Sequence, residues 1–335
     1  MIRHCLRAVL PAASALLAVA ILAAPLAAQQ AKDKVTFRQC WLPRGDYAPI
    51  FVAVDKGFMA QEGIEVAKVL NGDGSANTVK LVGAGQFDFG CADGPTMAVG
   101  KSKGIPVTSL FMRNQNSPMA LVSLKGSGIK HPKDLEGKTF GIFPAGSTHV
   151  FYQAVTKANN VDRKKIREVT VGVPYEQYLV QKRVDAVVGY VNAEVQELEN
   201  KLGGEGTLEI VPGDKYGYEV YGTVMFTSDK LIKEKADLVR RFSRAYKRAV
   251  EYTAKNPEEA IDILMKHNPQ ANRQVMLKQL RADLKYTFFS KDTEKSGLGW
   301  QTEEGWRRTQ DVLLQYGVTT ERVPERQLFT NEFLK

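Results

Sequence analysis

Between residues 35 and 189, short apolar runs alternate with longer stretches of helical spacing. Apolar and β-branched runs at residues 35–40, 64–69, 87–91, 107–111, 120–123, 139–142, 168–171 and 186–189 predict strands. Helical spacing falls between them, near residues 51–61, 78–83, 95–103, 150–159 and 176–182. Strands separated by helices call for parallel βαβ units, and so for an α/β fold. Beyond about Ser228 the period changes. Leu238, Phe242, Ala245 and Ala249 recur along one side of a helix, opposite Arg240, Arg241, Arg244 and Arg248. Asn256-Pro257-Glu258-Glu259 is a helix start, with an Asn cap, Pro at the first helical position and acids at the positive dipole end. Thr302-Glu303-Glu304 opens another helix, closed at Gly317. This last region should be mostly helical and cover a lobe rather than build a sheet.

A faint repeat divides the chain. Asp88 precedes one apolar run that leads to Asp93, and Asp185 precedes another that leads to Tyr190. Each half also carries a Gly–Ser loop ahead of a helix, Gly72-Asp73-Gly74-Ser75 and Ala145-Gly146-Ser147-Thr148. The same features in the same order imply two similar lobes facing each other.

The first residues bear on the compartment. Arg3 and Arg7 precede an Ala-rich apolar run from Val9 to Ala28, broken by Pro11 and Pro25. A basic start, an apolar centre and small residues before Gln29 predict a secretory signal peptide over residues 1–28, cleaved after Ala28. The alternative is a membrane anchor, but a spanning helix needs about 20 solidly apolar residues. Cys5 lies too early to be a lipid-attachment cysteine at the cleavage point. The expectation is a freely soluble exported monomer. Residues 29–335 are enough for two α/β lobes, at roughly 100–200 residues per domain. The formal net charge is +9, of which Arg3 and Arg7 supply two. The remaining Lys and Arg are interspersed with Asp and Glu along helices, which reads as solvated faces rather than a nucleic-acid surface.

Past the leader only Cys40 and Cys91 remain, and they are expected as two buried free thiols, although export would permit one bridge between them. His4, His131, His149 and His267 lie far apart and none has metal-ligand spacing, so no metal site is expected. Asp46, Asp93 and Glu194 could suggest acid–base chemistry, but no His accompanies them and no Gly-x-Ser-x-Gly elbow occurs. Gly72-Asp73-Gly74 is too short for a dinucleotide fingerprint, and no phosphate loop ends in Gly-Lys-Ser/Thr. No catalytic residue and no cofactor are expected.

Binding has more support. In open α/β sheets ligands sit beyond the carboxyl ends of strands. Cys40-Trp41 ends the first predicted strand, with Arg44, Asp46 and Tyr47 close behind. Tyr190-Val191-Asn192-Ala193-Glu194 follows the last one. Trp41, Asp46, Tyr47, Ser75, Asp93, Asn114, Ser147, Tyr190, Asn192, Glu194 and Tyr221 form the candidate ligand-binding set, with Tyr175 a weaker member. Each has a plainer reading. Asn192 can cap a helix with Glu194 in its first turn, Ser75 and Ser147 can be ordinary caps, and Trp41 can be core.

These residues carry a resemblance. Residues 41–66, the Gly72–Ser75 loop and Gly83-Ala84-Gly85-Gln86-Phe87-Asp88-Phe89-Gly90 resemble the first lobe of solute-binding proteins of bacterial ABC importers. Gly128 to Gly141 resembles that family's passage into its second lobe. Val184 to Glu194 is similar to the branch that binds thiamine-pyrimidine precursors, beside binders of nitrate, sulfonate and taurine. Arg44-Gly45-Asp46 departs from that branch's Asn-rich continuation, and the Cys-rich stretch of its eukaryotic synthase members is missing. The resemblance implies a two-lobed, type II periplasmic binding fold, each lobe a mainly parallel sheet flanked by helices, hinged by two crossovers near Ser123 and Tyr221. Lobe I would comprise residues 29–123 and 222–335, and lobe II residues 124–221. It implies a periplasmic location, a permease and an ATPase as partners, and a hydroxymethylpyrimidine- or formylaminopyrimidine-like ligand. Trp41 would stack on the ring while Asn192 and Glu194 contact its polar edge. A small organic anion held at Ser75 and Ser147 is the alternative ligand. An enzyme acting on a pyrimidine is the alternative of another class.

Overall fold

The fully apolar runs become the central strands of two sheets, because a strand covered on both faces has no polar side to show. The computed structural model describes Met1 and residues 32–144, 146–286 and 290–335; the expected leader falls on residues outside these. The first sheet has the order β2 (Ile64–Leu70), β1 (Asp33–Arg38), β3 (Phe89–Asp93), β10 (Thr223–Ser228), β4 (Val107–Met112). The second has the order β7 (Arg167–Thr170), β6 (Thr139–Ile142), β8 (Ala186–Tyr190), β5 (Met119–Leu124), β9 (Leu208–Pro212). In each, three strands pair in parallel and the next is antiparallel to both neighbours, so four strands point one way and one opposes them.

The repeat has a physical counterpart. Asp88 and Asp185 each turn the chain into a central strand, and their carboxylates accept the backbone N–H of Thr36 (2.8 Å) and Thr139 (2.7 Å) on the adjacent strand. Two strands, β9 and β10, add to those that the hydrophobic pattern predicts, and β3 starts two residues later than expected. That shift makes Asp93 the last residue of the strand.

The first crossover also moves. Ser123 lies inside β5 of the second sheet, so the chain leaves the first lobe over residues 113–118. It returns over residues 213–222, which contain Tyr221. The expected free thiols need correction too: Cys40 and Cys91 are paired as a disulfide, with their Cα atoms 5.2 Å apart. The parallel pairing of β1 with β3 sets the two backbones at bridging distance, an effect that residue spacing in the sequence does not reveal.

The C-terminal helices cover the first sheet. Ala236–Lys255 lays Phe242 on Phe89, ring centroids 3.7 Å apart, and turns Arg244 outward to Glu62. In the second lobe Phe140 stacks on Tyr152 at 4.3 Å. Among the described residues no helix is long and apolar enough to cross a membrane.

Candidate ligand-binding cleft

Strands β3 and β8 end at Asp93 and Tyr190, and the helices Ser75–Gly83 and Ser147–Ala158 begin beside them. These ends meet around a narrow cavity between the lobes. Gly74 and Gly146 are the N-caps of the two helices and neither supplies a capping side chain. Gly74 adopts φ 136°, ψ 145°, a conformation that side chains resist, and a Cβ on Gly146 would lie 2.6 Å from Phe143. Glycine therefore lets both backbones approach the cavity and leaves first-turn N–H groups without a side-chain acceptor.

Eight of the candidate residues line this space: Trp41, Tyr47, Ser75, Asp93, Ser147, Tyr175, Tyr190 and Glu194. Trp41 reaches from the first lobe to two rings of the second, Phe143 at 5.4 Å and Tyr175 at 5.8 Å between centroids. Ser75 Oγ accepts from the Asp93 backbone N–H at 3.0 Å, and Ser147 Oγ lies 2.7 Å from the Tyr190 hydroxyl. The Tyr47 ring lies under the guanidinium of Arg44 at 4.8 Å.

The two carboxylates here are unusual. Asp93 Oδ2 accepts from Thr96 N (3.1 Å) and Thr96 Oγ1 (2.8 Å), while its buried Oδ1 has no partner among the described residues. Burial pushes the Asp93 carboxyl up to about 7, against those hydrogen bonds. Glu194 Oε2 accepts from Tyr190 N at 2.9 Å, whereas Oε1 comes no closer than 3.9 Å to Arg44. Burial raises Glu194 as well, despite Arg44. Its place at the start of the helix Glu194–Leu202 shows that helix-start and cavity-lining roles coexist.

The Asp93 shift has a testable sign. A carboxyl whose folded pKa is raised stays protonated in the native state while the unfolded chain ionises, so its contribution to stability falls as pH rises from about 4 to about 7. Asp93→Asn should therefore gain stability relative to the parent at pH 8 compared with pH 5, measured by urea unfolding at both. A difference independent of pH would contradict the assignment.

Four candidates lie elsewhere, each for a visible reason. Asp46 is fully buried between two guanidinium groups; it accepts from Arg44 Nε (2.9 Å) and Nη2 (2.8 Å) and from Arg113. Although burial opposes it, Arg44 and Arg113 hold Asp46 below the usual carboxylate range. Asn114 and Asn192 both donate to Asp283 Oδ1, at 2.8 and 2.6 Å, which ties the first crossover and the second lobe to the helix Arg273–Tyr286. Tyr221 packs on Trp306 at 5.4 Å with its hydroxyl 3.1 Å from Thr302 Oγ1, inside the core. Arg44, Phe143, Thr148 and Thr223 line the cavity without having been chosen. Phe143 directly follows β6, so the strand-end rule applied to every strand would have found it. Among the described residues no group of three or more His, Cys, Asp or Glu is arranged to hold a metal.

Comparison with known proteins gives the family and the fold. The family described as NMT1/THI5 like matches residues 44–260. The chain belongs to the NMT1/THI5-like family. A relative in Legionella pneumophila, a 4-amino-5-hydroxymethyl-2-methylpyrimidine phosphate synthase, is 26% identical over 92% of this chain and 95% of its own. The riboflavin-binding protein RibY of Chloroflexus aurantiacus is 27% identical over 92% and 88%. A formylaminopyrimidine-binding protein of Halalkalibacterium halodurans is 24% identical over 83% of each. The solved periplasmic aliphatic sulphonate binding protein SsuA of Escherichia coli superposes with a TM-score of 0.67 at 12% identity, covering 88% of this chain and 91% of that one. This NMT1/THI5-like chain thus has the periplasmic-binding-protein fold.

Proposed function

We propose that this family member is the exported solute-binding subunit of an ABC importer, and that its lobes close on a small planar nitrogen heterocycle of the aminopyrimidine type. The observation that carries the reading is the cavity itself. Aromatic rings from both lobes (Trp41, Phe143, Tyr175 and Tyr190) wall a space that contains one buried carboxyl from each lobe, Asp93 and Glu194. A flat ring suits the aromatic walls, and its ring nitrogens and exocyclic amine suit acceptors that lack a full set of donors. Two relatives are named for pyrimidines, one as a binder and one as a synthase. Among the described residues the lining holds neither Lys nor His, and Cys40 is held in a disulfide, which favours capture over turnover.

A second reading rests on the two uncapped helix starts and on the sulphonate-binding neighbour: a small organic anion at Ser75 and Ser147. The local charges weigh against it. Arg44, the cation in the lining, is already matched by Asp46, and an anion would lie beside Asp93 and Glu194.

A thermal-shift screen separates the two, since ligand at 100 times its dissociation constant adds about 2.7 kcal/mol of stability. Stabilisation by taurine or an alkyl sulfonate and not by aminopyrimidines would reject the heterocycle. Chemical change of the heterocycle on incubation, seen by mass spectrometry, would move the chain to the synthases. Trp41→Ala should weaken heterocycle binding by about 1–3 kcal/mol through lost stacking. Glu194→Gln should cost about 1.5–3 kcal/mol, the range for hydrogen bonds to charged groups. Titration calorimetry reads both, with circular dichroism to confirm that each variant folds.

A further inference from the structure

The cavity does not end at Trp41. It shares Trp41, Arg44 and Glu194 with a narrow neck. The neck in turn shares Leu42, Pro43, Glu176 and Glu197 with an outer groove of about 1290 Å³. Three spaces therefore run in series from the buried rings to the surface, and the middle one is acidic.

The charges of this region are mostly matched. Arg44 and Arg113 flank Asp46, Asp283 also acts on Arg113, and Glu197 pairs with Lys201. Glu176 is the exception in the neck and groove. It is only 4% exposed, lines both the neck and the groove, and has no hydrogen bond or ion pair with another side chain among the described residues. Burial, then the neighbouring Glu194 and Glu197, push its carboxyl up to about 7, opposed by a hydrogen bond from its own backbone N–H and by Lys201. A carboxylate with no cation paired to it at the mouth of a buried space gains from something positive in the neck beside it.

Building on the function proposed above, we infer that the neck is a second subsite, which takes a positively charged substituent on the heterocycle held in the cavity. Glu176 and Glu194 flank the charge, the Trp41 ring offers it a π-face, and the groove beyond accommodates what the substituent carries. The ligand class is then a pyrimidine joined by a short link to an ammonium or azolium group, rather than a neutral single ring.

Calorimetry on the full chain with two probes tests this. One is neutral 4-amino-5-hydroxymethyl-2-methylpyrimidine; the other is thiamine, which joins the same aminopyrimidine ring through a methylene to a permanently cationic azolium. Thiamine should bind at least about tenfold more tightly, the scale of one charge-assisted contact. Glu176→Gln should erase that advantage while leaving affinity for the neutral pyrimidine within about twofold, which also reports that the variant is folded. At pH 7 thiamine binding should release part of a proton as Glu176 ionises, seen by comparing buffers of different ionisation enthalpy, and the release should vanish in the variant. If the neutral pyrimidine binds and thiamine binds no better, the subsite is overturned and the cavity reading stands. If neither probe binds, both are overturned.

Discussion

Asp46→Ala is expected to lower the unfolding free energy by about 3–5 kcal/mol, the usual cost of removing one partner from a buried ion pair. Asp46 is the shared anion of a buried triad. Arg44 grips it with Nε at 2.9 Å and Nη2 at 2.8 Å, and Arg113 reaches it from the first crossover. All three side chains are at most 6% exposed, so water cannot replace the lost carboxylate. Its removal leaves Arg44 with only Glu194 at 3.9 Å and Arg113 with Asp283 as its remaining anionic neighbour. Asp46→Asn keeps the shape but not the charge, and should recover little of the loss. Urea unfolding should show a lower midpoint at an unchanged slope. A loss below about 1 kcal/mol would place the triad among solvated ion pairs instead.

Trp306→Ala should cost about 3–5 kcal/mol, as large aromatic truncations in cores do. Trp306 is fully buried in the helix Glu303–Gln315. Its ring packs against Tyr221 on the second crossover, and Nε1 donates to Gln301 Oε1 at 3.1 Å. It also backs Gly94, the residue after Asp93, whose N–H reaches the Gly222 carbonyl at 2.7 Å. The deletion therefore opens a void beneath both the crossover and the strand end that carries Asp93. Trp306→Phe should lose less, because it refills part of the space and strands only the Gln301 oxygen. Thermal or urea unfolding of the pair gives the ordering, and equal losses would mean that the site collapses around the smaller side chain.

Tyr221 shows why these effects could not be ranked from sequence. It belonged to the candidate ligand-binding set, yet Trp306, 85 residues further along the chain by number, packs on its ring. Asp46 is similar: the Arg44-x-Asp46 spacing was visible, while Arg113 was not. Asn192 lies where the strand-end rule predicts a cleft residue, but Asp283 from a C-terminal helix takes its amide. In each case a partner distant in sequence decided between ligand and scaffold.

The alternation of buried runs and helical stretches determined the α/β class, because a strand covered on both faces must be apolar throughout. The Asp88 and Asp185 turns and the two Gly–Ser loops determined the two-lobed repeat and put Ser75, Asp93, Ser147, Tyr190 and Glu194 at strand ends or helix starts, where backbone geometry alone points side chains toward a cleft. Tertiary structure decided the rest. Insertion of β10 beside β3 and of β5 beside β8, the Cys40–Cys91 bridge, the Arg44–Asp46–Arg113 triad and the Glu176 neck each join residues far apart along the chain. Local pattern records what a residue's own segment needs, whereas pairing across lobes depends on which surfaces meet, and only the folded chain brings those together.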